Sequence, residues 1–433
     1  MAKALEPANY EILSISKDGG KDIPLEGKTT SFDYYESILS PNITATMTFV
    51  DTGGSVGYPQ EYDRQERVGS IYNALPITGG EKVKFKIKHP LGTLDFSTDE
   101  KALLVNSALN PDQESQRETV ILSLFSQIAK TNQESKVYEK GSGKISDTVG
   151  ELIKRHLKVD NVTINATANN YSFIGNSLNV FDVILWLASK SVPGEGNPGY
   201  FFYETQDGIN FRGIDDLISQ GTSSEYNKTA VLRSNLDNDD NDYKMISSKI
   251  SKNQNLINSL KAGVYKLRGI FWDPFTFKYT ESVNSFGKNM DLVKSLGKSA
   301  EAPEVEEFTR THYDILDVGT LTPSGKGADS TEDSVQNDPR DWQLGSTMRY
   351  NVLFSQVLNI QVPCNPNLKA GDTIKCNFEI ITQGEKEQGS SDPVQSGSYL
   401  IADLCHHFDP SRSITSMTLV RDSYGLYTNK NKS

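Results

Sequence analysis

Between Ile43 and Phe49 every second residue is apolar: Ile43, Ala45, Met47 and Phe49 alternate with Thr44, Thr46 and Thr48. A period of two puts alternate side chains on opposite faces of an extended chain, so this stretch reads as a half-buried strand. The same period returns at Val83, Phe85 and Ile87, which alternate with Lys82, Lys84, Lys86 and Lys88. It returns again at Ile374, Cys376 and Phe378, after a turn punctuated by Pro366 and Gly371, and in a strand over residues 414–420 after the turn at Asp409-Pro410. A chain patterned in this way is mainly β, with strands that bury one face against another sheet or close into barrels.

Residues 144–225 break the pattern. Val149, Leu152, Ile153 and Leu157 form an apolar stripe behind a cap at Ser146 or Asp147. A second helix is expected near 178–190, with Phe181, Ile184, Leu185 and Ala188 inward and Trp186 packing at its flank. The aromatic run from Tyr200, an Asp207-Gly208 turn and the run from Ile209 read as a hairpin. A further strand region spans residues 262–282, with a turn at Asp273-Pro274. Residues 284–346 carry little periodicity and much Gly, Pro, Ser, Asp and Glu, and read as a loop or an extended arm.

The length of 433 residues exceeds one compact core, and roughly two to four domains are expected. The net charge of −12 argues against a general phosphate-binding surface, which needs clustered Lys and Arg. The lysine row at 82–88 reads as a solvated strand face that blocks edge pairing, with a nucleic-acid or membrane face as the competing reading. No signal peptide is apparent, and no apolar run approaches the roughly 20 residues of a membrane helix. The cysteines Cys364, Cys376 and Cys405 lie too late and are too few for a disulfide framework. With His406 and His407 they could suggest zinc, but they lack a CxxC or HxxxH spacing, and adjacent histidines on a strand face opposite ways. The run Asp237 to Asp242 could suggest calcium, but an EF-hand loop begun there has Asp242 in place of the glycine and Ser248 in place of the glutamate. Phosphate-loop, nucleophile-elbow and metalloprotease motifs are absent, so no catalytic, cofactor-binding or metal residue is assigned.

The stretches "NPNLKAGDTIKC" (365–376), "GSYLIADLCHHF" (397–408) and "SITSMTLVRDSYG" (413–425) resemble the second barrel of the baseplate hub proteins of contractile-tailed phages. The hub part of the type VI secretion protein VgrG shares that barrel. The helices "SDTVGELIKRHL" and "NVFDVILWLASKSV" and the hairpin "GYFFYETQDGINFRGID" resemble the insertion between the two barrels, and "PNITATMTFVDTGG" is similar to hubs of myovirus relatives that infect cyanobacteria.

The resemblance implies two tube-like β-barrel domains with an α+β insertion: a first barrel over 1–135, the insertion over 136–225, and a second barrel begun at 226–283 and completed at 348–433. The segment 284–347 is left as an extended arm that the resemblance does not cover. It also implies a structural role without enzymatic activity or cofactors. Three copies would form a ring in the virion baseplate, assembled in the host cytoplasm. The ring would join a sixfold tail tube, or tube-initiator proteins, to a separate threefold central spike, beside tape measure and wedge proteins. DNA would pass through its lumen without specific binding. A virion-associated peptidoglycan hydrolase or its carrier, and a host-surface adhesin, are the alternatives.

Overall fold

The computed structural model describes residues 2–423, apart from 18, 55, 61–62, 72–74, 76, 115–116, 229–240, 254, 275, 286–294, 298–304, 317–337 and 381–390. The expected alternation becomes strands almost everywhere it was read. Thr44–Asp51 buries Ala45, Met47 and Phe49, and Lys82–His89 buries Val83, Phe85 and Ile87. These side chains fill one core, in which the Phe85 ring lies 4.8 Å from Phe32 and 4.7 Å from Phe96. A second core gathers Ile374, Cys376, Phe378, Ile401, Met417 and Leu419. Burial of apolar side chains at roughly 25 cal/mol per Å² makes such cores the main source of stability.

One sheet of fourteen strands among the described residues runs through both cores. In the first half the order across the sheet is Asn9–Ser16, Lys82–His89, Leu103–Glu114, Arg117–Phe125, Thr44–Asp51 and Thr29–Ser37. In the second half it is Thr222–Lys228, Thr373–Phe378, Gly397–Phe408, Ser413–Arg421, Gln356–Pro363 and Ser247–Lys252. Numbered by their place in the chain, both halves read first, fourth, fifth, sixth, third, second. Neighbours in both halves are antiparallel except at the outermost pair, which is antiparallel in the first half and parallel in the second. The halves meet where Thr29–Ser37 pairs antiparallel with the later part of Gly397–Phe408. Following the alternation across that seam, five of the six strands of the second half run in the same direction as their counterparts in the first; the outermost, Thr222–Lys228, runs opposite to Asn9–Ser16. The halves are therefore related by a rotation that keeps strand direction, and not by a two-fold axis facing the seam.

The insertion forms its own core. The helix Ile145–Leu152 continues into a wider turn at Ile153–Leu157, and both pack on the helix Val180–Lys190 and the hairpin Tyr200–Thr205 with Gly208–Gly213. Leu185 is 40% exposed, contrary to expectation. Val180, Val183, Ile184 and Leu187 make the inner face, which leaves Leu185 about 100° round the helix. Trp186 does sit at the flank, edge-on to Tyr171 and Phe173, with the Lys190 ammonium over its ring.

Two expectations are revised. The strands Lys266–Asp273 and Lys278–Ser285 pair as a hairpin but do not enter the large sheet; with Arg310–Ile315 they make a separate three-stranded sheet. Part of the segment read as an arm is regular: Arg310–Ile315 is a strand and Pro339–Leu353 a helix. Asp338 caps that helix by accepting from the Arg340 amide at 2.9 Å, and Pro339 starts its first turn. Leu344 and Met348 pack it on Leu267 and Phe271 of the small sheet, and Val352 packs on Val264 and Tyr265. Residues 317–337 of the expected arm, and Asp237–Asp240 of the acidic run, lie outside the described residues. Asp242 accepts from the Ala4 amide at 2.8 Å.

Candidate functional site

The seam between the halves is where distant parts of the chain converge. Tyr34, Glu36 and Ser37 come from Thr29–Ser37; Glu204 and Gln206 come from the insertion hairpin and its turn; Ala370 and Gly371 come from the Asn365–Cys376 stretch. Glu36 is 2% exposed and joins all three: it accepts from the Tyr34 hydroxyl (2.7 Å), the Gln206 amide (2.7 Å) and the Ala370 amide (2.9 Å). Burial nevertheless raises its pKa to about 7, because these bonds offset only part of the desolvation of the charge. Burial likewise lifts Glu204 to about 7 while it accepts from the Ile43 amide at 2.9 Å. Ser37 donates to Asp403 at 2.6 Å directly across the seam.

The turn before Thr373–Phe378 has a counterpart before Lys82–His89. Gly371 donates to the Ile401 carbonyl at 2.9 Å, and Gly80 donates to the Val105 carbonyl at 2.8 Å. The Ile401 amide donates to Asp372 (2.8 Å) as the Val105 amide does to Glu81 (2.9 Å). The Asp372 carboxylate accepts from the Lys369 amide at 3.1 Å, and the Glu81 carboxylate from the Thr78 amide at 2.9 Å. Gly371 and Gly80 have φ of 87° and 88°, a left-handed conformation that favours glycine. Each fifth strand then carries a register shift one residue later, beside Asn106 and beside Ala402. The repeat is legible as Gly80-Glu81-Lys82-Val83-Lys84 against Gly371-Asp372-Thr373-Ile374-Lys375, a signal the sequence reading passed over.

The outward face across the seam is built from small polar side chains. Gln361, Ser416, Cys405, Tyr35 and Thr44 lie opposite one another on successive strands, and Asn359, Thr418, Asp403 and Ser37 form the next row. A groove of about 560 Å³ runs over these rows. Its charged members are Lys249, Asp403 and the edge of Glu36, so it is not a basic surface. The lysine row lies elsewhere, on Lys82–His89, and is matched by acids: Lys84 with Asp99 (2.6 Å) and Asp22 (3.2 Å), and Lys86 with Glu11 (3.1 Å).

The residues weighed for zinc do not converge. Cys364 belongs to the first core and Cys376 to the second, and burial pushes the Cys364 thiol up to about 12. His406 is buried beside Tyr34, shares a 2.9 Å hydrogen bond with Thr415, and is held to about 3 by burial, so it is neutral. His407 faces the other way and bonds Asp33 at 2.5 Å. Among the described residues no cluster of His, Cys, Asp and Glu could hold a metal ion.

Neither a protein-family model nor a curated protein matches this sequence. Solved structures do match. A tail protein from Neisseria meningitidis MC58 covers 95% of this chain and 96% of its own, with a TM-score of 0.55 at 11% identity. The 43 kDa tail protein of prophage MuSo2 from Shewanella oneidensis covers 95% of this chain and 98% of its own, with a TM-score of 0.52 at 9% identity. This chain shares the fold of these two tail proteins. The likeness to tail proteins read from the sequence is met at the level of fold.

One further junction ties the fold together. Arg349, fully buried on the helix Pro339–Leu353, donates to Asp215 through Nε (3.0 Å) and Nη2 (2.8 Å) and to Asp422 through Nη1 (2.8 Å). It clamps this helix, the insertion and the end of the last strand of the sheet. No helix among the described residues is long and apolar enough to cross a membrane.

Proposed function

We propose that this protein is a structural hub of a phage tail baseplate, in which three copies close a ring that adapts a sixfold tail tube to a threefold central spike. The observation that carries this reading is the repeat of strand order with strand direction kept in five of the six strands. A ring of three copies meets a sixfold partner only if each copy offers two similar surfaces about 60° apart about the ring axis. Two halves related by a two-fold at the seam would point their equivalent ends in opposite directions and could not do so. We divide the chain into a first barrel within 1–135, an insertion over 136–225 whose last residues, from Thr222, already run in the first strand of the second half, and a discontinuous second barrel with the small sheet and its helix set between its strands.

The polar, non-basic seam face is the surface we assign to the lumen. DNA would pass it without the counterion-releasing contacts that Lys and Arg make. The role requires no turnover, cofactor or metal. The partners are a second and third copy, a tube or tube-initiator protein on one side, a spike on the other, and the tape measure and wedge proteins around them, in a virion tail assembled in the host cytoplasm. Sedimentation of the purified chain, alone and with its spike, tests the reading: a complex with three copies supports it, and a chain that stays monomeric under both conditions overturns it. A zymogram on bacterial cell wall tests the hydrolase alternative, with no clearing expected.

A further inference from the structure

Resting on the adaptor reading, the pairing pattern also specifies which strand edges join one copy to the next. In the second half, the fifth strand uses its early residues to pair with Thr373–Phe378 and its later residues, Asp403–Phe408, to pair with the first half at the seam. In the first half, the counterpart strand Leu103–Glu114 uses Leu103 and Leu104 to pair with Lys82–His89. From Ser107 onward its second edge has no strand partner among the described residues. At the far end of the sheet, Ser247–Lys252 pairs, among the described residues, on one side only, with Gln356–Pro363. It is the counterpart of Thr29–Ser37, the strand that fills the seam.

We propose that Ser247–Lys252 of one copy pairs antiparallel with the open edge of Leu103–Glu114 of the next, repeating between copies the seam already present within the chain. The partner is a second copy of this chain. The matched register shifts at Asn106 and Ala402 set Leu109 in the place of Cys405. Following the ladders across the sheet sets Lys252 in the place of Tyr35, just past the register shift at Ser251. Within the chain, Tyr35 stands directly opposite Cys405. Leu109, 63% exposed, is therefore placed opposite Lys252 of the neighbouring copy. The pairing would cover two open edges that otherwise invite uncontrolled strand addition.

The internal seam supplies its own calibration. In full-length protein, Tyr35→Cys is expected to form a disulfide with Cys405 within one chain under mild oxidation, because the two positions oppose each other. The double variant Leu109→Cys with Lys252→Cys is expected to yield chains linked in twos and threes on a non-reducing gel, in the assembled species alone, while either single variant stays unlinked. If a three-copy complex forms and Tyr35→Cys links but the 109–252 pair does not, the edge pairing is overturned and the adaptor reading stands. If the chain is monomeric alone and with its spike, both are overturned.

Discussion

At the scale of single residues, the repeated turn allows a controlled comparison. Gly80 and Gly371 share a left-handed φ, so a Cβ strains the backbone at both. Their surroundings differ: a Cβ at Gly80 meets nothing within 4 Å, whereas one at Gly371 would lie 2.3 Å from the Tyr203 hydroxyl. Gly80→Ala is expected to cost ~1 kcal/mol and Gly371→Ala ~3 kcal/mol, read as shifts in urea midpoint. Equal costs would mean that the insertion hairpin does not rest on the turn. Glu36 gives a pH signature. Its folded pKa of about 7 lies above its ordinary value of 4.5, so the fold favours the protonated acid. The stability this contributes is present below pH ~4.5 and is lost as pH rises through 7, up to ~3 kcal/mol for a shift of this size. Glu36→Gln, which mimics the protonated form, is expected to flatten the change in urea midpoint between pH 5 and pH 8. A variant with the full wild-type slope would place the titration elsewhere, with Glu204 the first candidate.

At the scale of elements, the helix Pro339–Leu353 is held by one buried cation between two carboxylates. Arg349→Ala leaves Asp215 and Asp422 buried without that partner and is expected to cost ~3–5 kcal/mol. Amide exchange is expected to rise in this helix and in Ile214–Ser219, with the hairpin Thr29–Ser37 and Thr44–Asp51 unchanged. A rise spread evenly over the molecule would contradict the clamp. This helix also marks where sequence reading stopped short. Strands with strict alternation, such as Thr44–Asp51 and Lys82–His89, were legible because their period is local. The helix was hidden by the polar run before it, although the Asp338-Pro339 start and the spacing of Leu344, Met348 and Val352 were available signals. The hairpin Lys266–Asp273 with Lys278–Ser285 was legible as strands, but its sheet was not: membership is decided by pairing with Arg310–Ile315, a contact distant in sequence.

At the scale of the molecule, the seam could not be read from the chain, because Thr29–Ser37 and Gly397–Phe408 are far apart in sequence and their pairing leaves no local trace. What could have been read is the repeated Gly-acid-x-aliphatic-Lys turn, which recurs at the same place in each half. The central claim is that one chain supplies two equivalent units to a ring of three. The most direct measurement is an electron cryomicroscopy reconstruction of the tail tip carrying this protein. The account predicts three copies around the axis, with the two halves of each chain superposed by a rotation of about 60° about that axis and the polar seam face turned inward. A different copy number, halves related by a two-fold across the seam, or a seam face turned away from the channel would contradict it.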